Sequence, residues 1–223
     1  MTTANPAASY PVDVEVEPQL RDRNRLTTAF RLILYIPHAL LVGGPGVVAV
    51  FAGWGSRNGG WGYYGQFGET GVLGLVAGVC AVVAWFGIVF AKTHPRGLYD
   101  IGTFYLRWRT KAVAYAALFR DEYPPFGEAE YPVHLELPAP GEERDRLSVG
   151  LRLIYAIPHF IVLAFLGLAW AVTTFIAWFA ILFTGAYPEG LYKFGVGVFR
   201  WQTRVEAYML LLRDEYPPFS LEP

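Results

Sequence analysis

Apolar and polar positions follow one order along this chain, and they follow it twice. Tyr10-Pro11-Val12-Asp13-Val14-Glu15-Val16 alternates with the period of a strand, and Tyr131-Pro132-Val133-His134-Leu135-Glu136-Leu137 does the same. Each is followed by a short charged stretch and then a long apolar run. The first run is entered through Arg31-Leu32-Ile33 and reaches Ile36-Pro37-His38; the second is entered through Arg152-Leu153-Ile154 and reaches Ile157-Pro158-His159. An amphipathic segment comes next. Leu98, Ile101, Tyr105, Trp108, Ala112, Tyr115 and Phe119 mark one helix face in the first copy. Leu191, Phe194, Val198, Trp201, Val205, Tyr208 and Leu212 mark it in the second, with cations off the face in both. Both segments close on Arg-Asp-Glu-Tyr-Pro-Pro-Phe, at 120–126 and 213–219, where the prolines end the helix.

The early matches, up to His38 and His159, share an offset of 121 residues. The later ones, from Ala84-Trp85-Phe86 and Ala177-Trp178-Phe179 onward, share an offset of 93. The first copy therefore carries 28 extra residues, and the Gly-, Trp- and Tyr-rich stretch 53–71 reads as a loop. In the second copy 153–183 runs for 31 residues without a formal charge. As one helix it would measure about 46 Å, against a hydrocarbon core of about 30 Å. Insertions are tolerated best at exposed turns, which predicts two helices per copy. These are placed at 26–52 and 72–91, with Gly43-Gly44-Pro45-Gly46 bending the first, and at 149–166 and 170–187 around a tight turn. A shallow re-entrant hairpin stays open for the second copy.

The expected architecture is an all-α membrane protein of two tandem repeats, 1–127 and 128–223. Each has a short N-terminal β-strand, a transmembrane helical hairpin and a cytoplasmic amphipathic interfacial helix, four transmembrane helices in total. Composition agrees: 54% of residues are hydrophobic and 17% charged, against roughly 25% charged in ordinary soluble domains. Net charge is −1, which argues against nucleic acid as a partner. Of 18 Lys and Arg residues, only Arg57 falls between paired helices. The positive-inside rule then places a multi-pass protein in the cell membrane with both termini cytoplasmic. The first 18 residues lack a basic region followed by an apolar run, so no cleavable signal is expected. Cys80 stands alone, without a disulfide or metal-ligand companion.

Tyr-Pro-Val, Ile-Pro-His, Thr184-Gly185-Ala186-Tyr187-Pro188, Arg200-Trp201-Gln202-Thr203-Arg204 and Glu215-Tyr216-Pro217-Pro218-Phe219 resemble a duplicated, actinobacteria-like membrane-protein family described only as domain of unknown function 4389. The resemblance covers nearly the whole chain and implies architecture, with no assigned activity. The first copy departs from it, with Lys92-Thr93-His94-Pro95 in place of Thr-Gly-Ala-Tyr-Pro.

The candidate chemistry is sparse. Arg107, Lys111, Arg200 and Arg204, beside Trp-bearing faces, are candidates for lipid headgroups; the competing reading packs each amphipathic helix on its own apolar run. His38 and His159 are a candidate ligand or proton site, matched across the copies inside apolar runs. Facing each other they would bind a metal or haem iron; the plainer reading is a hydrogen bond to a carbonyl that Pro37 or Pro158 leaves free. No cofactor or metal is predicted. Asp121-Glu122 and Asp214-Glu215 read as solvated helix ends, and the spacing of Gly74 and Gly78 as close helix contact. No metalloprotease, serine-hydrolase or phosphate-loop motif is present, so no catalytic residue is assigned. Three functions follow: a non-catalytic accessory, scaffold or lipid-interacting subunit; a small transporter or channel using the histidines; and a lipid-acting or cofactor-binding enzyme component. Expected partners are membrane lipids and another membrane protein or a second copy.

Overall fold

The computed structural model describes residues 10–44, 64–91, 95–138 and 146–223, without the side chains of 64–70 and 91. In chain order the elements are β1 (Asp13–Val16), α1 (Arg25–Ala29), α2 (Arg31–Val42), α3 (Tyr64–Ala91), α4 (Arg96–Ala116), β2 (Val133–Glu136), α5 (Arg146–Thr184) and α6 (Glu189–Met209). Asn24 caps α1 by accepting from the backbone N–H groups of Leu26 and Thr27. Pro95 and Pro188 stand at the N-caps of α4 and α6, in extended backbone. Both amphipathic helices end on a leucine in the left-handed region, Leu118 and Leu211.

The strands of the two copies pair with each other, antiparallel, with Val14 opposite Leu135 and Asp13 opposite Glu136. Val14 and Leu135 are also equivalent positions of the repeat, so a local twofold axis passes through that pair. The long helices obey the same axis. Trp85 of α3 donates from Nε1 to the carbonyl of Val149, and its counterpart Trp178 of α5 donates to Thr28, the counterpart of Val149. The end of α3 therefore lies beside the start of α5, and the end of α5 beside α1.

Among the described residues two helices, not four, are long and apolar enough to cross a membrane: the stretch Gly71–Phe90 of α3, and α5. The turn expected near Gly167 does not form, and α5 is one helix of 39 residues. A single glycine costs a helix only about 1 kcal/mol, too little to break it against so many good helix formers. The first copy explains the error. At the two offsets Val42 matches Leu163 and Gly71 matches Ala164, which are neighbours within α5. The insertion thus interrupts a helix rather than lengthening a turn. The chain leaves at Gly43 (φ 81°) and resumes at Gly71 (φ 62°, ψ −178°), and a Cβ on Gly71 would lie 2.5 Å from the Leu41 carbonyl carbon and the Gly43 nitrogen. Only glycine fits so close an approach in that conformation. The remainder of the predicted helix 26–52, and residues 53–63 of the expected loop 53–71 with Arg57, lie outside the described residues; from Tyr64 that expected loop is helical instead, up to the break at Gly71.

Breaking the helix frees carbonyls at the end of α2. Arg109 donates to the carbonyl of Val42 and Tyr35 to that of Gly43. Where the second copy keeps its helix whole, it has Gln202 and Ala156 at these two positions. Arg109 also pairs with Glu206 of α6, joining the amphipathic helices.

Those helices do not lie apolar side down on lipid. Tyr105, Trp108, Ala112 and Tyr115 of α4 are buried against α2 and α3, and Val198, Trp201, Val205 and Tyr208 of α6 are buried too. What faces outward instead is the far side of α1, α2, α3 and α5, where leucine, isoleucine, valine and phenylalanine stand exposed from Leu26 to Leu40, from Val72 to Phe90 and from Leu147 to Phe183.

Candidate functional site

The Arg-Asp-Glu-Tyr-Pro-Pro-Phe segments fold back over the two apolar runs and build the same site twice. In the first copy Arg31 is buried at the start of α2. It donates to the carbonyl of Arg120 and to Asp121 Oδ1, both at 2.7 Å, and its guanidinium lies 4.0 Å from the centre of the Tyr115 ring. In the second copy Arg152 donates to the carbonyl of Tyr208 and, at 2.7 Å, to Asp214 Oδ1, and lies 4.2 Å from the Tyr208 ring centre. An arginine entering the apolar helix is thus locked to the aspartate leaving the amphipathic one. Asp121 does more: it also accepts two hydrogen bonds from Arg23 and one from the Asn24 backbone. Burial alone would raise the Asp121 carboxyl. The hydrogen bonds from Arg23 and Asn24, with the charges of Arg23 and Arg31, outweigh it and hold the group below the usual carboxylate range.

The histidines sit one to two turns further along the same helices, both fully buried. Trp108 Nε1 donates to His38 Nδ1 at 3.2 Å, and Trp201 Nε1 to His159 Nδ1 at 3.1 Å. Phe126 stacks on His38 with ring centres 4.6 Å apart, and Phe219 on His159 at 4.1 Å. Tyr123 and Tyr216 close the two boxes from the side. An imidazole that accepts at Nδ1 and stays neutral carries its proton on Nε2. Each histidine is thereby enclosed by rings of its own repeat, and the box of one contains no residue named in the box of the other. The group that engages Nδ1 is a tryptophan of the amphipathic helix; a carbonyl freed by the proline could accept only from Nε2. Among the described residues no group of three or more His, Cys, Asp or Glu is placed to hold a metal ion.

The four cations expected at headgroups face the strands and the loop before β2. Lys111 donates to the carbonyl of Ala129, and Arg107 pairs with Glu128. Arg200 donates to the carbonyl of Val14, and Arg204 to those of Val12 and Glu222, with Asp13 close to both. Arg204 is 1% exposed, so its charge is spent on fixing β1 to α6. Asp121 and Asp214, read from sequence as solvated, are the anchors of the latch. The signal was present: an arginine in each apolar run and an aspartate at each Pro-Pro exit, opposite in sign and matched in both copies.

Elsewhere, a surface cavity of about 350 Å³ is lined by Arg21, Asp22, Arg23, Arg25 and residues Thr184 to Ala186 at the end of α5. The Arg25 guanidinium lies over Gly185, 3.4 Å from where a Cβ would stand.

No curated protein and no solved structure matches the chain. One family profile does, over residues 69–127 and again over 146–220, which takes in both amphipathic helices, the whole of α5, Arg152 with Asp214, and Asp121 of the first copy. The chain therefore belongs to the family described as Domain of unknown function (DUF4389), with two copies in tandem.

Proposed function

We propose that this chain is a membrane-embedded, non-catalytic scaffold or lipid-interacting subunit of the cell membrane, with the strands, α4, α6 and both termini on the cytoplasmic side. One observation carries the reading: the outward faces of α2, α3 and α5 are apolar and uncovered, while nearly all the polar chemistry is spent internally. Exposed apolar surface on that scale marks an interaction surface, and helices of this length and composition mark lipid as the occupant. The side is argued from charge, since cytoplasmic flanks carry the excess of Lys and Arg. Arg21 and Arg25, whose side chains make no hydrogen bond or ion pair among the described residues, line the cavity at the end of α5 next to exposed Leu26 and Phe183 and suit a lipid phosphate.

A transporter or channel would need the two histidines on a shared path. Each is instead sealed within its own repeat, which supports a packing role. The test is fractionation followed by capture in mild detergent. The protein should stay in the membrane pellet through an alkaline carbonate wash and bring anionic lipid or a second membrane protein with it. Release into the supernatant by carbonate refutes the membrane reading.

A further inference from the structure

The long helices are apolar enough to cross a membrane, yet polar structure runs beside α5 from end to end. Near its start Arg152 is locked to Asp214. Further along, His159 meets Trp201, and Trp170 packs on Phe199 with ring centres 6.0 Å apart. Just beyond its end, the carbonyl of Gly185 accepts from the backbone of Arg23, and Tyr187 donates to Leu20. From Arg152 to Gly185 the axial rise is about 50 Å. Over that whole distance α6, or the turn leading into it, covers one side of α5.

Behind α6 lies β1, fixed by Arg200 and Arg204 to the carbonyls of Val14 and Val12. The paired strands expose Glu15 and Glu136. This layer stands level with the middle of α5, because Arg200 lies between Phe199, on Trp170, and Trp201, on His159. If α5 stood upright, a hydrocarbon slab of about 30 Å around its middle would swallow the strand pair and its carboxylates. Open sheet edges do not occur in lipid, and charges at mid-depth are costly. Length opposes an upright helix too: 39 residues measure about 58 Å, nearly twice the core thickness.

Symmetry gives the alternative. The local twofold passes through the Val14–Leu135 pair and between the two reciprocal tryptophan contacts, hence from the strands to the gap between α3 and α5. Along that axis the order is strands, amphipathic helices, long helices. An axis normal to the membrane sets both copies at one depth. The long helices then lie across the axis, with their exposed faces forming the outermost layer.

Resting on the membrane reading above, we infer that the protein is monotopic: α2, α3 and α5 lie along the membrane within the cytoplasmic leaflet, their exposed faces against lipid acyl chains, and neither long helix crosses to the far side. The in-plane position satisfies the exposed apolar residues from Leu147 to Phe183 along their whole length. It also keeps the strands in water.

The test places nitroxide labels at exposed Leu153, Phe160, Phe165, Phe175 and Phe183, one at a time, in Cys80→Ala protein in vesicles. Depth is read from the relative accessibility to oxygen and to a water-soluble nickel complex. The in-plane arrangement predicts that all five share one depth band within a single leaflet, with no trend along the helix. A crossing helix predicts a maximum near Phe165 and Phe160, with the ends returning to water on opposite sides, and that profile overturns the inference while leaving the membrane reading intact. Five labels all freely accessible to nickel overturn both.

Discussion

Replacing Asp121 with asparagine removes one negative charge from between two buried guanidinium groups. The Arg23 and Arg31 side chains are 0% and 2% exposed, and Asp121 is itself only 10% exposed. Arg31 keeps the Arg120 carbonyl and the Tyr115 ring, but its charge loses its carboxylate. Arg23 keeps the Gln19 carbonyl and one amide oxygen, while an NH2 that cannot accept replaces the other oxygen. Removing one partner of a buried ion pair costs about 3–5 kcal/mol, because the surviving charge stays desolvated. For a chain of this size 1 kcal/mol corresponds to about 2–4 °C in melting temperature, so Asp121→Asn should melt about 6–20 °C below the parent. Asp214 is 22% exposed, and water replaces part of what its carboxylate supplies to Arg152. Asp214→Asn should therefore cost less than Asp121→Asn. The assay is tryptophan fluorescence on heating in detergent. A loss below about 1 °C for Asp121→Asn, or a larger loss for Asp214→Asn, would refute the reasoning.

The remaining predictions concern acid, the broken helix and the histidines. The folded-state pKa of Asp121 lies below its unfolded value, so its stabilisation is fully present above about pH 4 and is lost as pH falls through the folded value; the parent's melting temperature should fall more steeply in that acid range than that of Asp121→Asn. Deleting residues 43–70 to join Val42 to Gly71 should leave a folded protein by circular dichroism, and Arg109→Gln should cost about 1.5–3 kcal/mol in the parent but less in the deletion variant, where the Val42 carbonyl has a helical partner; equal losses in both backgrounds would contradict the restarted-helix account. His159→Leu leaves buried Trp201 Nε1 without its acceptor and should cost about 1–3 kcal/mol, part of which the second change Trp201→Phe should restore; strictly additive losses would show that the two rings are uncoupled.

The sequence made the repeat, the strands, the amphipathic helices and the apolar runs legible, because each rests on a period that burial imposes. It misled where an inference depended on what bounds a helix. The charge-free stretch from Leu153 to Phe183 looked too long for one helix only on the premise that it stands upright in a bilayer; α5 is continuous, and no backbone rule forbids it. The partners of the amphipathic faces were equally hidden. Periodicity says that Trp108 and Trp201 share a side with Tyr115 and Tyr208, but protein and lipid reward that pattern alike. Pairing was invisible for a different reason. Arg31 and Asp121 stand 90 residues apart in sequence, and only the fold brings them within 2.7 Å. The matched recurrence of Arg152 and Asp214 was the available clue.

Sidedness decides whether the strand layer and the C-terminal segment face the cytoplasm. Single cysteines at Glu17, Glu128, Glu136 and Ser220, in a Cys80→Ala background, sample the strand layer, the loop before β2 and the C-terminal segment. With that layer cytoplasmic, a membrane-impermeant maleimide leaves all four unlabelled in intact cells and labels all four in inverted membrane vesicles. Labelling of any of them in intact cells would place that layer outside and overturn the cytoplasmic assignment.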